Sequence, residues 1–115
     1  MALPLPSTGT YNMDATGATL NAACTIWNAN FATLYAGTGG TPLVINTATP
    51  ADNAYTIFSK CNSNFAYLFG LPANAVLTNN VVNVGSAPYK GVIGLADPGY
   101  LACSKVNANF MTLSP

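Results

Sequence analysis

The sequence predicts an α-rich (α+β) fold: a three-helix domain built from an internal helical repeat, with a small β insert and an extended N-terminal arm. The first observation behind this prediction is the phrase N-[AS]-N-F-x-x-L, which the chain carries three times, in IWNANFATLY, KCNSNFAYLF and KVNANFMTLS. The second is an apolar stripe of helical period around each copy. The third is a change of pattern between the second and third copies, where short β-type runs replace the helical period.

Each copy of the phrase is predicted to lie on a helix. With each phenylalanine set at zero and about 100° per residue, apolar or sulfur-bearing residues recur at −8, −7, −4, 0 and +3 in every copy. A strand's period of two would scatter these positions over both faces. The copies lie about 34 and then about 45 residues apart, which excludes a uniform solenoid. The stripe residues are Ala23, Cys24, Trp27, Phe31 and Leu34 in the first copy, Ile57, Phe58, Cys61, Phe65 and Leu68 in the second, and Ala102, Cys103, Val106, Phe110 and Leu113 in the third.

Two asparagines flank the stripe of every predicted helix. Asparagine is a mediocre helix former, so two in each copy indicate that their amides are needed as hydrogen-bond donors and acceptors. They either tie each helix to a neighbouring loop of the same domain or set its register against another chain. The predicted packing and interaction motif comprises Asn28, Asn30, Phe31 and Leu34, then Asn62, Asn64, Phe65 and Leu68, and finally Asn107, Asn109, Phe110 and Leu113.

Signals at the ends of the first two helices set their approximate bounds. The first helix is expected over residues 16–36, with Asp14 or Thr16 as its cap and Gly37 as its stop. The second is expected to end at Gly70.

The second and third helices are expected to open with capping signals. Thr49 is the predicted N-cap of the second helix, with Pro50 and Asp52 in its first turn. Asp97 and Pro98 give the third helix a similar opening. A carboxylate at a helix N-terminus is favoured by the helix dipole, so both aspartates are interpreted as structural rather than catalytic.

The chain divides into an arm and one domain. Residues 1–13 contain Pro4 and Pro6 in an uncharged setting, which favours an extended arm. The arm packs either on its own domain or across a neighbouring subunit. Residues 14–115 are predicted to form a single three-helix domain with an insert at 71–96. The insert and the arm are the segments whose sequences least explain their own order, so both are expected to lie in contacts with neighbours.

The composition points to a component of an assembly. Half of the 115 residues are hydrophobic, only 5% are charged, and the net charge is zero. An uncharged surface favours association. Nucleic-acid binding would require a basic patch, and a membrane span would require a run of about 18 apolar residues, so neither is expected. The N-terminal sequence does not have the pattern of a secretory signal, so the protein is expected to act where it is made or to leave the cell by lysis.

The residues available for chemistry are few. There is no histidine, and Lys60 and Lys105 fall on the solvent side of their helices, where a lysine is usually only solvated. Cys24, Cys61 and Cys103 fall on the apolar stripe and are expected to be reduced core thiols. No catalytic, cofactor-binding or metal-ligating set is predicted, and the chain is not expected to be an enzyme.

The pattern A-x-x-x-F-x-K-x-N-x-N-F-x-x-L-[YF], found over residues 54–69, resembles a helical segment of tailed-bacteriophage virion proteins. In fibre and collar regions a sequence of the form AFxKINxNFxxLY begins a trimeric bundle. The first copy departs from this pattern with Ile26 in place of lysine, and the third ends in Ser114 rather than an aromatic residue. That segment usually occurs once per chain and trimerises between chains, so three copies in one chain imply that a single subunit could fold its own bundle.

The resemblance implies a non-enzymatic virion structural protein of a bacteriophage, made in the host cytoplasm. A capsid decoration or cement protein, or a short head fibre, fits the small size best. The alternatives are a tail, collar or fibre adaptor and, from another class, a secreted cell-surface adhesive protein. The expected partners are other virion proteins, the major capsid protein first, and copies of the chain itself in a homo-oligomer, with a trimer among the candidates. No nucleic acid, membrane or cofactor is expected as a partner.

Overall fold

The protein is a bundle of three helices. The computed structural model describes residues 3–5, 17–48, 50–85 and 96–114. The helical elements in these ranges are α1 (Gly17–Tyr35), α2 (Ala54–Phe69), a 3-10 turn (Pro72–Asn74) and α3 (Gly99–Leu113).

The phenylalanines of the three repeats meet at the centre of the bundle. The ring centroids of Phe31 and Phe65 lie 4.8 Å apart, as do those of Phe31 and Phe110, and those of Phe65 and Phe110 lie 4.9 Å apart. These rings are tilted or edge-on to one another, which the aromatic quadrupole favours. The predicted helical stripe is confirmed, with only Leu34 and Leu113 left half-buried. Its buried members are Ala23, Cys24, Trp27, Phe31, Ile57, Phe58, Cys61, Phe65, Leu68, Ala102, Cys103, Val106 and Phe110.

Each repeat consists of an extended segment followed by its helix. Residues 43–45 precede α2 and lie in the first groove, between α1 and α2. Residues 80–82 precede α3 and lie in the second groove, between α2 and α3. Residues 3–5 precede α1 and contact it through Asn30. Asn30 holds the same repeat position as Asn64 and Asn109, so the symmetry of the repeat assigns the arm to the space between α3 and α1, which we call the third groove.

The small β insert predicted within 71–96 is not seen. The described part of that insert contains the 3-10 turn and an extended stretch, and no residue of the described ranges is assigned to a strand. The β-type run at residues 80–82 is extended, but its backbone groups bond to asparagine side chains of α2 and α3 instead of to another strand. Residues 86–95 of the insert lie outside the described residues.

The helix ends correct the capping prediction. The N-cap of α2 is Asn53, whose side chain accepts a hydrogen bond from the Thr56 N–H, whereas Asp52 lies before the cap. The N-cap of α3 is Pro98, which makes no side-chain bond, so Asp97 does not cap that helix. Both carboxylates are bonded elsewhere.

The C-terminal ends of α1 and α2 agree closely with those predicted from the sequence. Helix α1 ends at Tyr35 and is followed by Gly37, whose φ of 80° favours glycine. Gly70 is the C-cap of α2, as predicted. The proposed caps of α1, Asp14 and Thr16, lie outside the described residues, as does Thr49.

The described part of the arm packs on its own domain. Leu3 and Leu5 are partly buried against the hydrophobic core, while Pro4 between them is exposed. The other residues of the predicted arm, 1–2 and 6–13, lie outside the described ranges. Among the described helices, none has the length and hydropathy needed to cross a membrane.

Candidate functional site

The segment in the first groove is held by two asparagine side chains. Asn64 of α2 donates from Nδ2 to the Leu43 carbonyl at 2.9 Å and accepts from the Leu43 N–H at 2.8 Å. Asn28 of α1 donates to the Ile45 carbonyl at 2.9 Å and accepts from the Ile45 N–H at 2.9 Å. Each amide thus replaces the peptide group of a neighbouring strand, and we call each such pair of bonds a clasp.

The second groove repeats this arrangement. Asn109 of α3 donates to the Asn80 carbonyl at 2.8 Å and accepts from the Asn80 N–H at 2.7 Å. Asn62 of α2 donates to the Val82 carbonyl at 2.8 Å and accepts from the Val82 N–H at 2.9 Å. The first asparagines of α1 and α2 therefore hold the segment that follows their helix, and the second asparagines of α2 and α3 hold the segment that precedes theirs.

The third groove is held differently. Asn30 of α1 donates to the Pro4 carbonyl at 2.8 Å, but proline has no N–H to complete the clasp. Asn107 of α3 accepts a buried hydrogen bond at 3.0 Å from the indole N–H of Trp27, which ties α3 directly to α1. Five of the six motif asparagines thus bond a non-helical segment of the same chain, and Asn107 bonds a neighbouring helix.

Lys60 and Lys105 are not simply solvated, contrary to the interpretation of the sequence. The Nζ of Lys60 lies 2.6 Å from Oδ2 of Asp52 and donates to the Val44 carbonyl at 2.9 Å. The Nζ of Lys105 lies 2.6 Å from Oδ2 of Asp97 and donates to the Val81 carbonyl, in the segment of the second groove, at 3.2 Å. Each lysine therefore adds a further hydrogen bond to a clasped segment.

The aspartates complete these two clusters. Asp52 accepts a hydrogen bond at 2.8 Å from the Asn46 N–H, and Asp97 accepts one at 2.8 Å from the Asn83 N–H. Burial raises the pKa of each carboxyl group, but the hydrogen bond from the lysine, the backbone N–H and the lysine charge together outweigh it. The pKa of both aspartates is consequently below its ordinary value, and both stay ionised.

The three cysteines are buried thiols in the core. Burial, with smaller contributions from Cys103 and Asp52, raises the pKa of Cys24 to about 12. Burial also raises the pKa of Cys103 to about 12 and that of Cys61 well above its ordinary value. Such thiols are poor nucleophiles because the thiolate is the reactive form. Within the described ranges, no three side chains of the metal-binding types come together as a metal site.

The outer face of α3 exposes large apolar side chains, which the analysis of the sequence missed. Tyr100, Leu101 and Met111 are 58%, 40% and 62% exposed. At about 100° per residue these three lie within roughly 100° of one another on the helix. A comparison of the repeats could have indicated this exposed face, because the positions of α2 equivalent to Leu101 and Met111 hold the smaller residues Thr56 and Ala66.

The same positions of α1 hold Ala22 and Ala32, which are also small. Among the three related helices, only α3 therefore carries bulky hydrophobic residues at these two positions, whereas Tyr100 has a counterpart in Tyr55 of α2. We call Tyr100, Leu101 and Met111 the α3 outer face. Packing within the bundle does not explain it.

No family model, no curated protein and no solved structure matches this chain.

Proposed function

We propose that the chain is a non-enzymatic structural protein of a bacteriophage virion, a capsid decoration or cement protein or a short head fibre. The observation that carries this proposal is the α3 outer face, exposed on a domain whose described charges neutralise one another. Asp52 pairs with Lys60, and Asp97 pairs with Lys105.

A surface of this kind suits attachment to another protein. Burying one large apolar side chain in a contact contributes roughly 1.5–3 kcal/mol, so these three side chains, spread along one side of α3, could together supply a useful part of a binding energy. The paired charges add little repulsion between neighbouring copies, and such contacts depend only weakly on salt. The partner proposed for this face is another virion protein, the major capsid protein first.

The hydrogen-bonding side chains support a structural role. The motif asparagines hold the chain's own segments, and the two ion pairs hold the same segments from the helix side. These polar groups therefore stabilise the domain, which suits a component that has to persist in an assembled particle. The resemblance of residues 54–69 to the helical segment of tailed-bacteriophage virion proteins supports the proposal that this particle is a virion.

The test is binding of the purified protein to particles that lack it. The variant Leu101→Asn with Met111→Asn removes two members of the α3 outer face. The control is Thr56→Asn with Ala66→Asn, which makes the matching changes on α2. We expect the control to bind as the unmodified protein does and the α3 variant to lose occupancy at least tenfold, with both retaining the helical signal in circular dichroism.

The distribution of the bound protein distinguishes the alternatives. Binding over the whole capsid surface supports a decoration protein. Binding at one vertex or along the tail supports the adaptor. Equal binding of both variants contradicts the assignment of the α3 outer face, and no binding of the unmodified protein to any particle contradicts the virion proposal.

A further inference from the structure

The arm in the third groove cannot form two of the hydrogen bonds that hold its two counterparts, because Pro4 has no N–H and Ile26 stands where they have a lysine. We propose that residues 3–5 are an exchangeable arm, which leaves its own third groove and occupies the third groove of a second copy of this chain. The inference rests on the comparison of the three grooves and does not depend on the proposed function.

The first and second grooves show how a segment is held securely. Residues 43–45 receive two clasps and a hydrogen bond from the Lys60 ammonium group. Residues 80–82 receive two clasps and a hydrogen bond from the Lys105 ammonium group. Both segments are also joined to helices at both ends, so neither can leave without disturbing the bundle.

The residue types in the arm and in α1 rule out part of this set of bonds. The residue equivalent to Leu43 and Asn80 is Pro4, which cannot donate to the side chain of Asn30. The residue equivalent to Lys60 and Lys105 is Ile26, which has no group to donate to an arm carbonyl.

The arm is nevertheless specific for the groove. Leu3 and Leu5 are partly buried against the core, and the Pro4 carbonyl accepts the Asn30 hydrogen bond at 2.8 Å. In an exchanged pair the same contacts form with the partner's helix, so little energy separates the closed and exchanged forms. This is the usual condition for exchange of an identical element between subunits.

The length of chain between the arm and α1 permits the exchange. Residues 6–16 connect them, and eleven residues can span at most about 36–40 Å. The two shorter dimensions of the molecule are 26 and 24 Å. An arm can therefore reach the groove of a copy packed alongside. Exchange is favoured at high local concentration, as on a surface where copies lie side by side.

A photo-cross-linking experiment tests the proposal. Leu5→benzoylphenylalanine, which leaves Pro4 in place, is made in unlabelled protein, mixed with unmodified ¹⁵N-labelled protein, and irradiated at intervals after mixing. We expect covalent pairs of one unlabelled (light) and one labelled (heavy) copy, with the cross-link in α1 or α3 of the heavy copy and a yield that rises with concentration. The control is Val44→benzoylphenylalanine, at the equivalent position of the first groove, whose cross-links should stay within one copy.

The proposal is overturned if the probe at position 5 gives no more light–heavy product than the probe at position 44. It is also overturned if its light–heavy cross-links lie away from α1 and α3, because these would report chance encounters.

A second variant tests the cause. Ile26→Lys introduces an ammonium group at the position that Lys60 and Lys105 hold in the other copies, and should slow the appearance of light–heavy product roughly ten- to a hundredfold, the effect of one charged hydrogen bond. The final yield should change little, because the new bond forms equally in the exchanged pair. Thr25→Lys, one residue away and exposed, is the control and should leave the rate unchanged. Equal rates for the two variants contradict the explanation by the missing lysine.

Discussion

The Asn62 side chain makes both backbone hydrogen bonds of Val82, donating to its carbonyl at 2.8 Å and accepting from its N–H at 2.9 Å. A carboxamide can do this because its donor and acceptor lie side by side, as they do in a peptide group. The clasp fixes the position of Val82 along α2, and the Val82 side chain is then buried at 2% exposure. Ile45, clasped in the same way by Asn28, is also 2% exposed.

Replacing Asn62 with leucine should therefore destabilise the protein. The variant keeps the approximate size of the side chain but leaves the Val82 N–H and carbonyl without their partner. Each unpaired buried group costs about 1–3 kcal/mol, and this site is only partly buried, so we expect a loss of about 2–4 kcal/mol in the free energy of unfolding. Urea denaturation measures it. Ser63→Leu, the exposed neighbour on the same helix, should change stability by less than about 0.5 kcal/mol.

Truncating one ring of the central cluster should be more damaging. Phe65→Ala removes a ring that contacts both Phe31 and Phe110, and we expect a cost of about 3–5 kcal/mol. That is a large part of the 5–15 kcal/mol typical of a folded domain. Phe69→Ala is the control, because Phe69 is half-buried and lies at the edge of the cluster, 6.2 Å from Phe65. Equal losses for the two variants would show that the cluster is not the centre of the core.

The thiols should be protected in the folded protein. With the pKa of Cys24 and Cys103 near 12 and that of Cys61 well raised, almost no thiolate exists at pH 8. We expect iodoacetamide to leave the native protein unmodified over hours and to label three thiols once the protein is unfolded in urea. Mass spectrometry counts the labels. Rapid labelling of any one cysteine in the native protein would place that side chain outside the core.

The sequence predicted the helices well because their signal is local. An apolar residue at each of five repeat positions can be recognised without knowing what it contacts, and the cluster of Phe31, Phe65 and Phe110 follows from packing three such stripes together. The partners of the asparagines could not be predicted in this way. Asn64 bonds Leu43, 21 residues earlier, through backbone atoms that every residue type possesses.

The two ion pairs, by contrast, could have been predicted from the spacing of aspartate and lysine in the sequence. Asp52 and Lys60 are eight residues apart, and so are Asp97 and Lys105, in the same register of the repeat. An aspartate near a helix start is typical of a cap, but here a lysine eight residues further along the chain is the partner of each aspartate.

The prediction of a small β insert is wrong for a related reason. The insert's β-branched residues favour extended backbone, but an extended segment needs hydrogen-bond partners, and another strand is only one way to provide them. Here the partners are the side chains of Asn62 and Asn109.

The two ion pairs should make the stability of the protein depend on pH in the acid range. The pKa of Asp52 and of Asp97 is lower in the folded protein than the ordinary value of 3.8. A carboxyl group of this kind favours the folded state when the pH is above its unfolded pKa. The advantage is lost as the pH falls through the lower, folded pKa. We therefore expect the free energy of unfolding to be level between about pH 7 and pH 5 and to fall below about pH 4.

The double variant Asp52→Asn with Asp97→Asn isolates this effect. Each asparagine still offers an oxygen to the backbone N–H that the aspartate bonds, but it carries no titrating charge. The variant should be less stable than the unmodified protein at pH 7, and its stability should change less between pH 5 and pH 3. Urea denaturation at each pH gives both curves. If they fall in parallel, the acid sensitivity arises elsewhere in the chain, and the lysines hold the groove segments through the carbonyls of Val44 and Val81 alone.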